Sequence, residues 1–135
     1  MSNHLQFELA SPEKMLIDRA VAMVTVPGSD GAYGVLIGHA PMITTLSPGV
    51  VEVYDQNDSA VSERIFVTGG FAEVTGQRCT ILAEKAMPVS ALNRAAVESE
   101  VKTLGDEIVK AETDETRGPL ESRMEIAAAK LRALS

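Results

Sequence analysis

The sequence predicts an α+β protein: a flattened β-sandwich or barrel of about ten short strands, followed by an antiparallel two-helix hairpin. The composition changes near Pro88-Val89-Ser90, because eight of the ten glycines lie before residue 89 and Ala, Glu, Leu, Lys and Arg dominate after it. All five aromatic residues also precede this point: Phe7, Tyr33, Tyr54, Phe66 and Phe71. We therefore expect two domains, a β-sandwich over residues 1–88 and a helical hairpin over residues 89–135.

Short apolar segments separated by turn residues run through the first domain. Leu5, Phe7 and Leu9 alternate with other residues, as expected for a strand with one buried face. Pro-Gly and Gly-Gly pairs favour turns and separate the later segments. Many short strands at such spacing are typical of a sandwich or barrel. The candidate strands are residues 5–9, 20–26, 34–37, 42–46, 50–54, 63–68, 71–75 and 78–83.

The second domain shows helical periodicity in two segments. Ser90 follows Pro88 and is placed to cap the start of the first helix. Gly118-Pro119 is predicted to break the chain between the helices. Apolar residues recur at intervals of four and three, so they form one narrow stripe on each helix. The stripes are Val97, Val101, Leu104 and Ile108, then Leu120, Met124, Ala127, Leu131 and Leu134.

These narrow stripes bear on how firmly the hairpin is held. They bury little apolar surface relative to the number of residues that must be ordered, so the free energy of docking is close to zero. We expect the hairpin to be far more labile than the sandwich and able to undock. The sequence does not determine whether the docked or the extended state dominates.

The bulk properties exclude several classes of protein. A formal net charge of −7, with Lys and Arg scattered singly, argues against nucleic acid or an anionic lipid surface as a direct partner. No apolar run approaches the roughly 20 residues that span a bilayer, and no leader-like segment opens the sequence, so we expect a protein on the cytosolic side. The single Cys79 lies in an apolar segment, which predicts a buried, unreactive thiol.

Two turn-rich loops, residues 27–34 and 38–41, hold no recognisable catalytic machinery. The glycines of the first loop are spaced like a phosphate-binding loop, but no lysine follows and the next segment is a predicted strand, so a β-turn connection is favoured. His39 has no convergent second ligand, which favours a structural or docking role with hydrogen bonds inside its own loop. We predict no catalytic, metal or cofactor residues, and interpret the loops as a docking surface.

Two carboxylates offer an alternative chemical site. Glu73 and Glu84 lie on predicted strands that can be neighbours, and a carboxylate pair can act as acid and base. Charges that keep strands from aggregating explain these two residues better. A hydrolase is therefore disfavoured.

Three segments, in order, resemble a single family. Residues 27–49 read Pro-Gly, a polar loop ending in Gly, Val-Leu, Gly-His-Ala-Pro, an apolar-Thr step and Leu-x-x-Gly. A Gly-Gly-Phe-x-Glu-Val segment follows at residues 69–74, and an apolar segment at residues 79–86 completes the pattern. Together they resemble the epsilon subunits of bacterial F-type rotary, proton-translocating ATP synthases, strongly over about residues 5–88 and more weakly in the tail.

The resemblance implies a non-catalytic subunit of the central stalk that couples rotation to ATP synthesis and carries a potentially regulatory hairpin. It implies binding to the gamma subunit and the c-subunit ring, contact with the alpha and beta subunits through the helices, and a peripheral position on the cytoplasmic face of the bacterial inner membrane. Many relatives carry an acidic residue where this chain has Ala32, and Asp30 can substitute for it. The implied docking residues are Ser29, Asp30, Gly31, Ala32, Tyr33, Gly38, His39, Ala40 and Pro41.

The family's nucleotide motif is altered in this chain. Many epsilon subunits bind a nucleotide through Ile/Leu-Asp-x-x-Arg-Ala, which aligns here from Leu92. Asn93 replaces the carboxylate and Ala96 replaces the guanidinium. We therefore expect no nucleotide site built on this pair, and tail-mediated inhibition of ATP hydrolysis does not follow from the resemblance.

A second interpretation comes from another class of protein. A free-standing β-sandwich that binds a small ligand, or an adaptor with a helical lid, would have the same architecture. It would not account for the three matching segments.

Overall fold

The computed structural model describes residues 4–135 and confirms the predicted fold class, with ten strands in two sheets followed by two helices. The strands are β1 (Leu5–Ala10), β2 (Met15–Val21), β3 (Met23–Gly28), β4 (Gly31–Val35), β5 (Met42–Thr45), β6 (Gly49–Tyr54), β7 (Glu63–Val67), β8 (Gly70–Val74), β9 (Arg78–Ala83) and β10 (Ala86–Pro88), and the helices are α1 (Arg94–Lys110) and α2 (Asp114–Ala133). The first sheet has the order β2-β1-β9-β8-β5, and the second has the order β10-β7-β6-β3-β4.

Alternate side chains of the two sheets form a shared core. Leu5, Phe7 and Leu9 of β1 are fully buried, as their spacing predicts. They belong to one cluster with apolar residues of the second sheet, among them Val24 and Val51. Because both sheets contribute to one close-packed interior, the sandwich is expected to be stiff.

The chain changes sheets within a segment that the sequence predicted as one strand. Residues 20–26 are divided, since β2 ends at Val21 in the first sheet and β3 begins at Met23 in the second. The spacing of the buried residues is consistent with this division, because Val21 and Val24 are three positions apart, which does not fit the period of two of a single strand. Most of β2 and the short edge strand β10 were not predicted.

The helix boundaries also differ from the predicted ones. Residues Val89–Ala91 form a 3-10 turn, and α1 begins only after Asn93, whose side chain accepts a hydrogen bond from the Ala96 amide. The connection between the helices lies at residues 111–113, where Thr113 caps α2, and not at Gly118-Pro119. Pro119 is tolerated in the second turn of α2, where it removes one intrahelical donor.

The helical hairpin packs on the outer face of the second sheet through a face of α2 that the sequence analysis missed. Val97 and Leu104 of α1 and Ala127 of α2 are buried, as the two predicted stripes require. A different face of α2, with Ala129 and Ala133, forms a second cluster with Phe66. The members of that cluster are Phe66, Val89, Ala129 and Ala133, with Val50, Met87, Leu92, Ile126 and Leu134 packed against them.

An arginine joins the two sheets at the end opposite the β3–β4 turn. Arg19 of β2 donates from Nε to Asp55 Oδ1 (2.8 Å) and from Nη2 to Asp55 Oδ2 (3.1 Å). It also donates from Nη2 to Glu63 Oε1 at 2.9 Å. The hydrogen bonds from Arg19 lower the pKa of Asp55 below its ordinary value.

The Asp55→Asn variant should lose stability at neutral pH and not at strongly acid pH. A depressed folded-state pKa means that the ionised carboxylate stabilises the fold above the unfolded-state value, and that this stabilisation disappears as pH falls through the folded-state value. The expected loss at pH 7 is roughly 0.5–1 kcal/mol, because the pair is partly exposed. Urea titrations at a series of pH values, with Asp58→Asn in the same loop as control, measure it. Identical acid slopes for Asp55→Asn and the unsubstituted chain would contradict this assignment.

Candidate functional site

The first predicted loop is a tight hairpin in the structure. β3 and β4 pair antiparallel up to Gly28 and Gly31, so the connection shrinks to the tip Ser29-Asp30. Ala32 lies on β4 and not in a loop, which corrects the predicted loop at 27–34 and the predicted strand at 34–37. Gly31 has a φ of +132°, a conformation that favours glycine and permits the turn.

The second predicted loop follows β4 and is held by local hydrogen bonds and by one to the β8–β9 turn. The His39 amide donates to the Leu36 carbonyl (3.1 Å), and the Gly38 amide donates to the Gly76 carbonyl (2.6 Å). The His39 ring Nδ1 lies 2.8 Å from the Ala40 carbonyl oxygen, so this nitrogen carries the proton and donates. The expected hydrogen bond of His39 inside its own loop is therefore confirmed.

The structure brings the two loops together through Tyr33. Its ring centroid lies 6.2 Å from that of His39, and its hydroxyl lies 2.5 Å from Thr44 Oγ1. Burial raises the pKa of Tyr33 above its ordinary value. We call the two loops together the loop surface. Its exposed residues are Ser29, Asp30, Gly31, Ala32, Gly38, Ala40 and Pro41, and Tyr33 and His39 are half-buried.

The loop surface is apolar around one carboxylate. With histidine neutral, Asp30 is the only charged side chain in residues 27–49. Leu36 and Ile37, between β4 and the second loop, are exposed. Both lie in a predicted strand and were not predicted to be part of this surface, because the uninterrupted apolar run at residues 35–37 is typical of a buried strand.

A second exposed feature, the outer face of the first sheet, was also missed. The register places Met15 beside Ala10, Ala10 beside Leu82, and Leu82 beside Phe71. Their side chains point away from the core, and the exposed fractions of Met15, Phe71 and Leu82 are 53%, 44% and 42%. Ile43 on the neighbouring edge strand is 70% exposed. We call Met15, Ile43, Phe71 and Leu82 the apolar face; it lies on the sheet that the helices do not cover.

The groove at this face is lined mainly by small and apolar residues. It has a volume of about 430 Å³. The sequence signal was present, because Phe71 is out of phase with the buried Ala72 and Val74 of the same strand. The lining residues are Ser11, Pro12, Gly70, Phe71, Leu82, Ala83 and Glu84.

The described residues offer no assembled chemical site of the kinds considered. Glu73 lies opposite Thr80 on β9, whereas Glu84 lies four residues further along, roughly 13 Å away at the rise of a strand. That separation is too large for the carboxylate pair considered above. Burial raises the pKa of the Cys79 thiol to about 12, which confirms the buried cysteine and keeps it protonated. Within residues 4–135, no group of three His, Cys, Asp or Glu side chains could hold a metal ion.

The positions of the altered nucleotide motif have structural roles at the start of α1. Leu92 packs against the cluster around Phe66. Asn93 Oδ1 accepts the Ala96 amide at 2.9 Å, so its side chain is used as the helix cap. The Ala96 side chain is exposed and offers no polar group.

Comparison with known proteins identifies the family. Residues 4–89 match the domain family described as the β-sandwich domain of the ATP synthase delta/epsilon chain. The ATP synthase epsilon chain of Rhodospirillum centenum is 52% identical over 134 residues, covering 97% of this chain and 92% of that protein. The epsilon chain of Paramagnetospirillum magneticum is 42% identical over 135 residues and the full length of both.

Solved structures show the same fold. A chain of the Euglena gracilis mitochondrial ATP synthase, in a complex of OSCP, F1 and c-ring, superposes with a TM-score of 0.89 at 22% identity, covering 100% of this chain and 84% of that one. Neither α1 nor α2 is long and apolar enough to cross a membrane. The sandwich, the hairpin and the relatives over the full length agree, and the chain belongs to the ATP synthase epsilon chain family.

Proposed function

We propose that this chain is a non-catalytic subunit of the central stalk that transmits rotation between the proton-driven c-ring and the catalytic part of a bacterial ATP synthase. The observation that carries the proposal is a close-packed sandwich with two exposed surfaces, in a chain of the epsilon family. Close packing suits such a role because a rigid body passes on a force without deforming.

The loop surface is the proposed contact with the c-ring. Its two loops follow from opposite ends of β4 at the edge of the sandwich, and hydrogen bonds hold both of them, so little order has to be gained on binding. Asp30 at the tip supplies one negative charge among apolar and small groups. We infer that it accepts hydrogen bonds from polar or basic side chains in the ring's loops.

The apolar face is the proposed contact with the gamma subunit. Met15, Leu82 and Phe71, with Ala10 between the first two, form a row across four neighbouring strands, and contiguous apolar patches of this kind mark protein interfaces. We assign this face to the gamma subunit. A subunit at this position in the stalk contacts both the ring and gamma, and the loop surface is already assigned to the ring. A face on the body of the sandwich can then lie along the shaft while the loops meet the ring.

The helical hairpin is placed to reach the remaining partners. In the extended state, α1 and α2 would run along gamma toward the alpha and beta subunits. Since Asn93 is used as a helix cap and Ala96 has no polar group, we infer that the hairpin holds no nucleotide through these residues. The subunit would sit on the cytoplasmic face of the bacterial inner membrane and contact the membrane only through the complex.

Reconstitution tests the proposed function directly. Adding the chain to ATP synthase complexes stripped of their own epsilon subunit should restore proton pumping driven by ATP hydrolysis. Asp30→Asn should weaken rebinding roughly two- to fivefold, and most at low salt, since a charge at the rim of an interface mainly assists association. Asp58→Asn, in the β6–β7 loop at the other end of the second sheet, is the matched control. Full coupling in the stripped complexes without added chain would end the proposal.

A further inference from the structure

Contacts outside the β3–β4 pairing connect this hairpin to the opposite sheet. β4 is the edge strand of the second sheet, and β5 is the edge strand of the first. Two consecutive residues of β5, Thr44 and Thr45, meet the hairpin through their hydroxyls. The contacts therefore cross the open edge of the sandwich on the side that carries the hairpin tip.

The first contact holds the hairpin tip. Ser29 Oγ lies 2.5 Å from Thr45 Oγ1, and the Ser29 amide donates to the Thr45 carbonyl at 3.0 Å. One residue earlier, Gly28 forms an isolated antiparallel bridge with Leu46. The Ser47 amide donates to the Pro27 carbonyl at 2.8 Å. The tip is thus fastened to the end of β5 on the side next to Asp30.

The second contact closes the edge itself. Tyr33 and Thr44 are half-buried, and Thr44 pairs with the buried Ala72, so both side chains point into the sandwich. Their oxygens are 2.5 Å apart. The same Tyr33 ring stacks obliquely near His39 at 6.2 Å between centroids. Tyr33 therefore links the hairpin, β5 and the second loop in one place.

We propose that Thr44 and Thr45 are positioning residues, whose hydroxyls fix the orientation of the ring-facing tip. The inference rests on the proposed function and names residues that the ring contact itself does not include. β3 pairs with β6 only at Met23–Thr25, so the rest of the hairpin is a two-stranded extension of the sheet. Two strands alone are marginally stable in water, so a sideways force on Asp30 would bend this extension unless it were braced. The two threonines pass that force to the first sheet, and so to the whole core.

Amide hydrogen exchange in the isolated full-length chain tests the brace. Thr44→Val and Thr45→Val keep the side-chain shape and remove the hydroxyl, whereas Thr44→Ser and Thr45→Ser keep the hydroxyl. Each valine variant should raise exchange at residues 30–35, and Thr45→Val also at Ser29 and Ser47, by roughly fivefold per lost hydrogen bond. The serine variants should stay close to the unsubstituted chain, and Thr103→Val on α1 should have no effect there. Unchanged exchange in both valine variants overturns the proposal.

The reconstituted complex tests the consequence. Protons pumped per ATP hydrolysed should fall when both threonines are valine and should be preserved when both are serine. Rescue by serine supports the proposal, because a merely structural role for the side-chain volume would not distinguish the two pairs. If the double valine variant couples fully, while Asp30→Asn measured separately weakens rebinding to the same complexes, the positioning role is overturned and the proposed function stands. If stripped complexes couple fully without any added chain, both the proposed function and the positioning role are overturned. The exchange result for the isolated chain does not depend on this outcome.

Discussion

Gly70→Ala is expected to destabilise the sandwich by roughly 2–6 kcal/mol, the sum of backbone strain and an overpacked contact at about 1–3 kcal/mol each. Gly70 has a φ of +118°, and a Cβ built on it would lie 1.9 Å from the Leu82 carbonyl oxygen. The obstacle is the backbone of β9, to which β8 is paired, so no side-chain rotation relieves it. A change of this size is a large share of the total stability of a small domain.

Gly69→Ala is the matched control for this prediction. A Cβ there would lie 3.2 Å from Glu84 Oε2, the mobile end of a side chain that can move away. Gly69 is buried, but only a movable side-chain end lies close to the added methyl, so we expect a smaller change, within about 1 kcal/mol. Thermal and urea unfolding of the two variants should therefore differ sharply although the glycines are adjacent. Similar midpoints for Gly69→Ala and Gly70→Ala would show that the β8 conformation described above is wrong.

Phe66→Ala should release the helical hairpin while the sandwich stays folded. Phe66 is fully buried but faces away from the shared core, between Val50 and Met87 on the neighbouring strands and against α2. Truncating a buried phenylalanine costs about 3–5 kcal/mol, and here the loss falls on the contact between hairpin and sheet. Because the free energy of docking of the hairpin is already expected to be small, this loss is larger than that free energy.

Amide exchange separates the two halves of the molecule. In the unsubstituted chain, α1 and α2 should exchange faster than β1 and β9; in Phe66→Ala, both helices should lose nearly all protection while the strands keep theirs. Phe66→Leu, which preserves most of the apolar volume, should retain docking. Arg64 of β7 also donates to the Ala133 carbonyl at 3.3 Å, so some residual contact at the end of α2 is expected. Uniform loss of protection across strands and helices would show that the two parts unfold as one unit.

The periodicity of apolar residues predicted a strand or helix wherever one face of the segment packs against a single core or partner. Leu5, Phe7 and Leu9 alternate because β1 lies over a single core, and the stripe through Val97 and Leu104 is clear because α1 packs on α2. The boundaries were less predictable. Asn93 caps α1 in place of Ser90, since the 3-10 turn at residues 89–91 has to pack Val89 under the hairpin first.

Part of the candidate site was also predictable from local sequence. Gly28, Gly31 and Gly38 indicated where both loops lie, although the first loop is shorter than predicted, because turns depend on local backbone preferences. The braces at Thr44 and Thr45 were not, since each joins two sheets that are neighbours only after folding. The apolar face was also missed: an exposed Phe71 and a buried Phe66 look alike in a list of apolar residues.

The amino-acid order alone determined the two-part architecture, the place of most turns in the sandwich and the family resemblance, because local periodicity and short motifs are properties of neighbouring residues. Tertiary structure decided which apolar side chains remain exposed, which face of α2 meets the sheet, and how the loops are held. Those outcomes depend on contacts between residues far apart in the chain, such as Phe66 with Ala129 and Ser29 with Thr45. Each such contact forms only when the sheets have come together, so no window of sequence contains it.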